Sequence, residues 1–234
     1  MPMTADELVA PAPRYAVYFA PERGSGWWQF GADWLGRDDA SLSLDAPPRA
    51  GPQHMTAEPA RYGFHATLKA PFRLAASTRI EGLCERLQGL AGTLPVLALG
   101  ALAPRRLPGF VALVPTDSGA ALADLAARCV VELDDLRAPL TDVEIQRRRP
   151  DLLDARGREL LLRFGYPHVL ERFRFHMTLA SCNDDESSAV IEQVREAVVA
   201  LNRDQPLRLD RLCLFEEPRP GAALQRIRDF SLGV

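Results

Sequence analysis

The sequence predicts an α+β fold built of two related lobes that face each other. Three observations carry that reading. The 234-residue chain suits one large domain or two small lobes with a sizeable core. Along it, segments with strand-like alternation take turns with segments of helical period. One short motif also occurs twice: Arg61-Tyr62-Gly63-Phe64-His65-Ala66-Thr67-Leu68 is answered 111 positions later by Arg172-Phe173-Arg174-Phe175-His176-Met177-Thr178-Leu179.

Taken in order, residues 1–13 contain three prolines and little pattern, and read as a loose tail before a single domain over 14–234. Residues 14–20 are β-rich and predict the first strand. Residues 22–36, with Trp27, Trp28, Phe30, Trp34 and Leu35, suit an amphipathic helix whose tryptophans face a core. Residues 38–60, rich in Pro, Ala, Ser and Asp, read as a long surface loop. The first motif lies on a strand that starts at Arg61. Residues 78–91 have helical period, with Thr78 as its cap. Residues 94–103 and 108–115 read as a hairpin punctuated by Pro104 and by Leu107-Pro108-Gly109. Helices are expected at 119–134 and at 142–163, the second broken near Pro150. The second motif strand spans 172–181, a helix comes next at 185–202, and two strands near 206–215 and 223–231 close the chain.

Composition narrows the function. Hydrophobic residues at 47% and charged residues at 25% are ordinary for a soluble globular protein. A net charge of −3 without a basic run gives no push toward DNA or RNA backbones. No apolar run is long enough to cross a membrane, and the acidic start is not a secretory leader, so a cytoplasmic protein is expected. Cys84, Cys129, Cys182 and Cys213 form no CxxC pair, which argues against a zinc knuckle and for plain thiols in a reducing compartment. No metal site and no cofactor is expected.

Strand geometry gives the duplicated motif its meaning. Side chains alternate, so His65 shares a face with Thr67 and His176 with Thr178, while Phe64, Ala66, Leu68 and Phe175, Met177, Leu179 point into a core. Lys69, the only lysine of the chain, continues the polar face of the first strand, and Arg174 lies on that of the second. Two such strands in facing lobes would gather two imidazoles and two hydroxyls around one cleft. One neutral imidazole can accept a proton there and the other, protonated, can donate one. The threonine hydroxyls and a nearby cation can bind the oxygens of a phosphoryl group. His65, His176, Thr67 and Thr178 are thus the candidate catalytic residues, with Lys69 and Arg174 as candidate phosphate ligands. The plainer roles of these two cations are a solvated edge lysine beside Pro71 and an arginine paired with Glu171. His54 in His54-Met55-Thr56 repeats the His-x-Thr spacing without a supporting apolar strand, and His168 sits in a turn before the second motif. Both are expected to stand outside the chemistry.

The paired His-x-Thr motifs resemble those of the 2H phosphoesterase superfamily. More closely, residues 61–72 (Arg61 to Phe72), together with Arg14-Tyr15-Ala16-Val17-Tyr18-Phe19-Ala20-Pro21, Trp34-Leu35-Gly36-Arg37-Asp38 and Phe173 to Leu179, are similar to a bacterial family encoded with phosphonate-degradation genes, the DUF1045-like family. The likeness runs from about residue 14 to the end. It implies a bilobal fold of two antiparallel sheets around a central cleft, with helices outside. It also implies a metal-independent phosphodiesterase acting on a small phosphoester or cyclic nucleotide-like substrate, with His65 and His176 as acid and base, and a functional link to phosphonate-degradation enzymes. The rival expectation is a nucleotide-binding or accessory protein of that machinery without turnover. RNA end processing is disfavoured by the acidic net charge.

Overall fold

The computed structural model describes residues 12–39, 50–117 and 119–233. The fold is mixed α+β, with antiparallel sheets and helices packed on them. The expected tail lies outside the described residues up to residue 11, as do residues 40–49 of the expected long loop.

β1 (Arg14–Phe19) is an inner strand of a four-stranded sheet ordered β2-β1-β8-β9, with β2 (Ala66–Phe72), β8 (Arg211–Glu217) and β9 (Gln225–Ser231). Both its faces are covered, as its near-continuous apolar run requires. Tyr15, Val17 and Phe19 enter the main core, while Ala16, Tyr18 and Ala20 pack with Cys213, Phe215 and Leu224 on the other side. A three-stranded sheet is ordered β4-β5-β6, from β4 (Leu102–Leu107), β5 (Phe110–Pro115) and β6 (Met177–Ser181). The short pair β3 (Leu97–Ala98) and β7 (Arg208–Leu209) forms a third sheet. Pro104 sits inside β4, opposite Leu113, which an edge strand tolerates because one flank needs no N–H donor.

The helices are α1 (Gly26–Leu35), α2 (Gln53–Ala60), α3 (Ile80–Thr93), α4 (Ala120–Val131), α5 (Asp142–Arg147), α6 (Ala155–Phe164) and α7 (Asp184–Asp204). Ser25 caps α1 by accepting from the Trp28 N–H, and Gly36 ends it at φ 66°, where a Cβ would be strained. Trp27 and Trp34 are buried, as the amphipathic pattern predicts. α3 starts from Arg79 rather than a Thr78 cap. The expected helix at 142–163 is two helices, α5 and α6, with a 3₁₀ turn at Pro150 between them.

One element overturns its expectation. Residues 53–60, read as loop, form α2. Its apolar content is too modest to announce a helix, yet Met55, Thr56, Pro59 and Ala60 are buried. Tertiary packing against α1 and β6 stabilises it, which is where most helical stability in proteins originates.

The two motif strands lie in different sheets, each next to one neighbour, and both carry the same irregularity. Tyr18 pairs with Thr67 but Val17 with Lys69, so Leu68 is skipped in the β1–β2 pairing. Ala112 pairs with Thr178 but Val111 with Ala180, so Leu179 is skipped in the β5–β6 pairing. The leucine of each Phe-His-x-Thr-Leu motif is thus a β-bulge, one extra residue that re-aims the strand beyond it. The carbonyl of Leu179 accepts a hydrogen bond from Trp34 Nε1 at 2.8 Å. Regular alternation ends at the threonine. Lys69, expected on the same face as Thr67, is instead packed under α4 at 3% exposure.

Buried ionic ties fasten the chain near the first motif. Arg226 (3% exposed) donates to Asp39 Oδ2 at 2.9 Å and to the Pro21 carbonyl at 2.8 Å, while its Nε reaches Asp229 at 2.7 Å. Removing the cation alone costs the buried Asp39 carboxylate its shorter ion pair and leaves it only the longer contacts of Arg23 (3.4 Å) and Trp28 (3.3 Å). Arg226→Met is therefore expected to destabilise the protein by about 3 kcal/mol, read as a lower urea midpoint. An unchanged midpoint would mean that the tie contributes nothing net.

Candidate active-site cleft

β2 and β6 begin five residues after the expected strand starts at Arg61 and Arg172, so His65 and His176 stand one residue before their strands rather than within them. Each ring is held in the same way. His65 Nδ1 lies 2.9 Å from the Gly63 carbonyl and His176 Nδ1 lies 2.8 Å from the Arg174 carbonyl. A carbonyl only accepts, so each Nδ1 carries a proton, and in a neutral ring that leaves Nε2 as the acceptor. The Thr67 hydroxyl sits 3.3 Å from His65 Nε2.

The turn that aims His65 needs glycine. Gly63 has φ 76°, and a Cβ there would lie 3.2 Å from the Asp39 Cβ. The buried Arg37 guanidinium fixes the approach to this turn, donating to the carbonyls of Ala60, Arg61 (2.8 Å) and Leu224. Burial pushes the Arg37 pKa down to about 10, with Asp39 and Asp38 opposing. Below the imidazole, Tyr18 packs with ring centroids 4.0 Å apart at 1% exposure.

All four expected residues, His65, Thr67, His176 and Thr178, line one cavity of about 730 Å³. Burial pushes the His65 pKa down to about 4, with His176 and Arg37 adding to the effect and the Gly63 carbonyl opposing it. The cavity is also lined by Arg14, Arg61, Arg73, Arg137, Arg147 and Arg148, against the carboxylates of Glu58 and Glu144. Four of the six pair with carboxylates, Arg14 and Arg61 with Glu217, Arg73 with Glu144 and Arg137 with Asp134.

Neither cation named from sequence lines this cavity. Lys69 Nζ donates to the Val130 carbonyl at 2.9 Å and to Asp134 at 3.3 Å, and it lies 5.3 Å from the Phe72 ring centre. Burial pushes its pKa down to about 8, against the pull of Asp134. The bulge at Leu68 turns it from the cleft into the scaffold. Arg174 donates to the Phe173 carbonyl at 2.8 Å and lines an adjoining, largely apolar pocket of about 490 Å³ that shares Thr67 and His176 with the cleft. His168 lines that pocket too, and burial lowers its pKa. His54 lies on α2, 3.6 Å from Glu186, outside the cleft. The cleft arginines were missed because they come from β1, the end of α2, the residue after β2, the turn ending at Arg137 and the end of α5, with no shared motif; only Arg14 and Arg61 fall within the segments that carry the resemblance. Among the described residues, no three His, Cys, Asp or Glu side chains gather as a metal site, and no helix is long and apolar enough to cross a membrane.

The model of a family described as a protein of unknown function (DUF1045) matches residues 67–225. A ribose 1,5-bisphosphate phosphokinase PhnN of Janthinobacterium is 39% identical over 219 residues, covering 89% of this chain and 48% of that protein. One of Laribacter hongkongensis is 37% identical over 218 residues, covering 92% of this chain and 51% of that protein. The chain thus spans about half the length of these curated relatives. The crystal structure of a conserved protein of unknown function from Agrobacterium tumefaciens is similar with a TM-score of 0.40 and 15% identity, over 93% of this chain and 85% of that one.

These names correct the sequence reading. A phosphokinase is a transferase, so the expected metal-independent phosphodiesterase, a phosphoric diester hydrolase, is overturned. The physical reason is plain. Paired imidazoles and hydroxyls bind a phosphoryl group whether or not an ester bond is cut, and the motif alone does not distinguish the two.

Two outcomes are expected. In NMR titrations the His65 ring stays neutral from pH 8 to pH 5 and protonates near pH 4. Because the unfolded chain takes up this proton near pH 6.5, stability falls as pH drops from about 6.5 toward 4. A His65 midpoint above 6 would remove the neutral acceptor. Gly63→Ala should cost about 1–3 kcal/mol from the left-handed backbone alone and broaden the His65 resonances; an unshifted urea midpoint would show that the turn is unstrained.

Proposed function

Since the chain belongs to the DUF1045 family, we propose that its cleft binds a phosphorylated pentose and supplies that site to the phosphokinase chemistry after which its relatives are named. The observation that carries the proposal is the meeting of two His-Thr pairs from different sheets in one arginine-lined cavity.

Each group has a physical task in this reading. The Thr67 and Thr178 hydroxyls donate to phosphate oxygens. The unprotonated Nε2 of His65 accepts from a sugar hydroxyl, a role that its depressed pKa keeps open at neutral pH. Arginine suits phosphate because its planar fork meets two oxygens at once. Lys69 belongs to the scaffold. It is the only lysine, it comes after Leu68 rather than a glycine-rich turn, and its amine is engaged by Val130 and Asp134. A nucleotide-cradling loop with its own lysine therefore has no counterpart in this sequence. The reading consequently gives this chain the sugar-phosphate side of the reaction. A place in phosphonate metabolism comes from the same relatives. The finer resemblance to the 2H phosphoesterases, a two-lobed arrangement with β2 and β6 flanking a central cleft, fits this reading as architecture and not as hydrolysis.

Calorimetric titration tests it. Ribose 5-phosphate should bind, ribose should not, and Thr67→Ala/Thr178→Ala should weaken the phosphate ester by about tenfold or more, since hydrogen bonds to a charged group are lost. Equal binding of ribose and its phosphate, or binding of neither, would sink the proposal.

A further inference from the structure

The cleft arginines fall into two groups. Arg14 and Arg61 pair with Glu217, Arg73 with Glu144, and Arg137 with Asp134. Arg147 and Arg148 line the same cavity and have no carboxylate partner among the described residues. A guanidinium at a cavity wall without a counter-ion keeps its donors available to an anion that enters.

Arg148 is also held in place. Its guanidinium carbon lies 4.9 Å from the Tyr166 ring centre, and Tyr166 lines the cleft. That cation–π contact restrains the guanidinium beside the cleft. The backbone that carries the pair is fastened at both ends. Before it, Thr141 and Glu144 form a capping box at the start of α5, and Arg73, just after β2, grips Glu144 at 3.0 and 3.2 Å. After it, Arg149 adopts a left-handed φ of 49° and reaches forward to Asp151 at 3.0 Å, ahead of Pro150. Non-glycine residues enter that region at a cost, and they persist there when the surrounding structure dictates it.

The cavity of about 730 Å³ extends from the His-Thr pairs to these two arginines. That space is far larger than one phosphate needs. We propose that Arg147 and Arg148 form a second anion subsite, which takes the distal phosphate of a bisphosphorylated pentose whose other phosphate lies at the His-Thr pairs. This assignment rests on the phosphopentose reading above and adds its selectivity: the cleft measures the separation of two phosphates.

The test compares ribose 5-phosphate with ribose 1,5-bisphosphate by calorimetry on the full chain, in wild type and in Arg147→Gln/Arg148→Gln. Wild type should bind the bisphosphate at least about tenfold more tightly, because hydrogen bonds to a charged group are gained. In the double variant the ratio of the two affinities should collapse toward one. Its salt dependence for the bisphosphate should also flatten. Both arginines are at the protein surface or half-buried, so an unchanged urea midpoint confirms that the variant is folded. An advantage that survives the double substitution overturns the second subsite while leaving the phosphopentose reading intact. Equal wild-type affinity for the two esters does the same. Binding of neither ester by wild type overturns both.

Discussion

A leucine that the sheet skips governs this structure. In each motif strand the hydrogen-bond ladder passes over the residue after the threonine, Leu68 in β2 and Leu179 in β6. Without the bulge, strict alternation would carry the polar face one residue further, and Lys69 would stand beside Thr67. With it, the polar face ends at the His-Thr pair, and the next residues turn into the protein. The leucines remain buried at 2% and 0% exposure, so the motif keeps its apolar anchor while its reach into the cleft is cut short. The extra residue must also satisfy its backbone, and at Leu179 the Trp34 indole does so. A helix residue distant in sequence thereby fixes the second motif strand.

Buried cations then tie the scaffold. Arg37 is 5% exposed and engages the carbonyls that precede the Gly63 turn. Lys69 joins β2 to the end of α4, where helix carbonyls lack partners of their own. Arg226 closes the segment around Asp39. Three positive charges are thus used as donors to backbone oxygen and to neighbouring carboxylates. Desolvation depresses the pKa of Arg37 and Lys69, which measures how strongly each depends on the partners that replace water. The segment Trp34-Leu35-Gly36-Arg37-Asp38, one of those that carry the family resemblance, is architectural: its arginine holds the loop that aims a histidine.

The legible part of the molecule is the part governed by period. Strand β1, helices α1, α3, α4 and α7, and the alternation around both histidines come from apolar spacing, and the duplicated motif located four residues that do line one cavity. Two kinds of feature left no such trace. α2 is stabilised by the elements it packs against, and its own residues carry almost no amphipathic signal. The bulges are a property of pairing, set by the neighbouring strand, and they decided the fate of Lys69. A lone lysine beside a motif therefore looked like a ligand and became a strut. The arginines of the cleft were hidden for a third reason: they come from separated elements and share a surface only after folding.

Reaction class was the least legible property of all, and the cleft explains why. A phosphoryl group presents anionic oxygens, ester oxygens and neighbouring hydroxyls to any site that holds it. Hydroxyl donors, guanidinium forks and imidazole acceptors answer those features in binding and in bond-breaking alike. An acid–base pair needs one neutral and one charged ring, and the burial of His65 against Tyr18 keeps that ring an acceptor well into the acid range, which binding and bond-breaking both accommodate. The neutral ring favours contact with a hydroxyl-bearing neighbour of the phosphate, and the arginines carry the charge complementarity. Such a division is what the proposed sugar-phosphate reading asks of the cleft: cations for the anion, and a histidine acceptor for the sugar beside it.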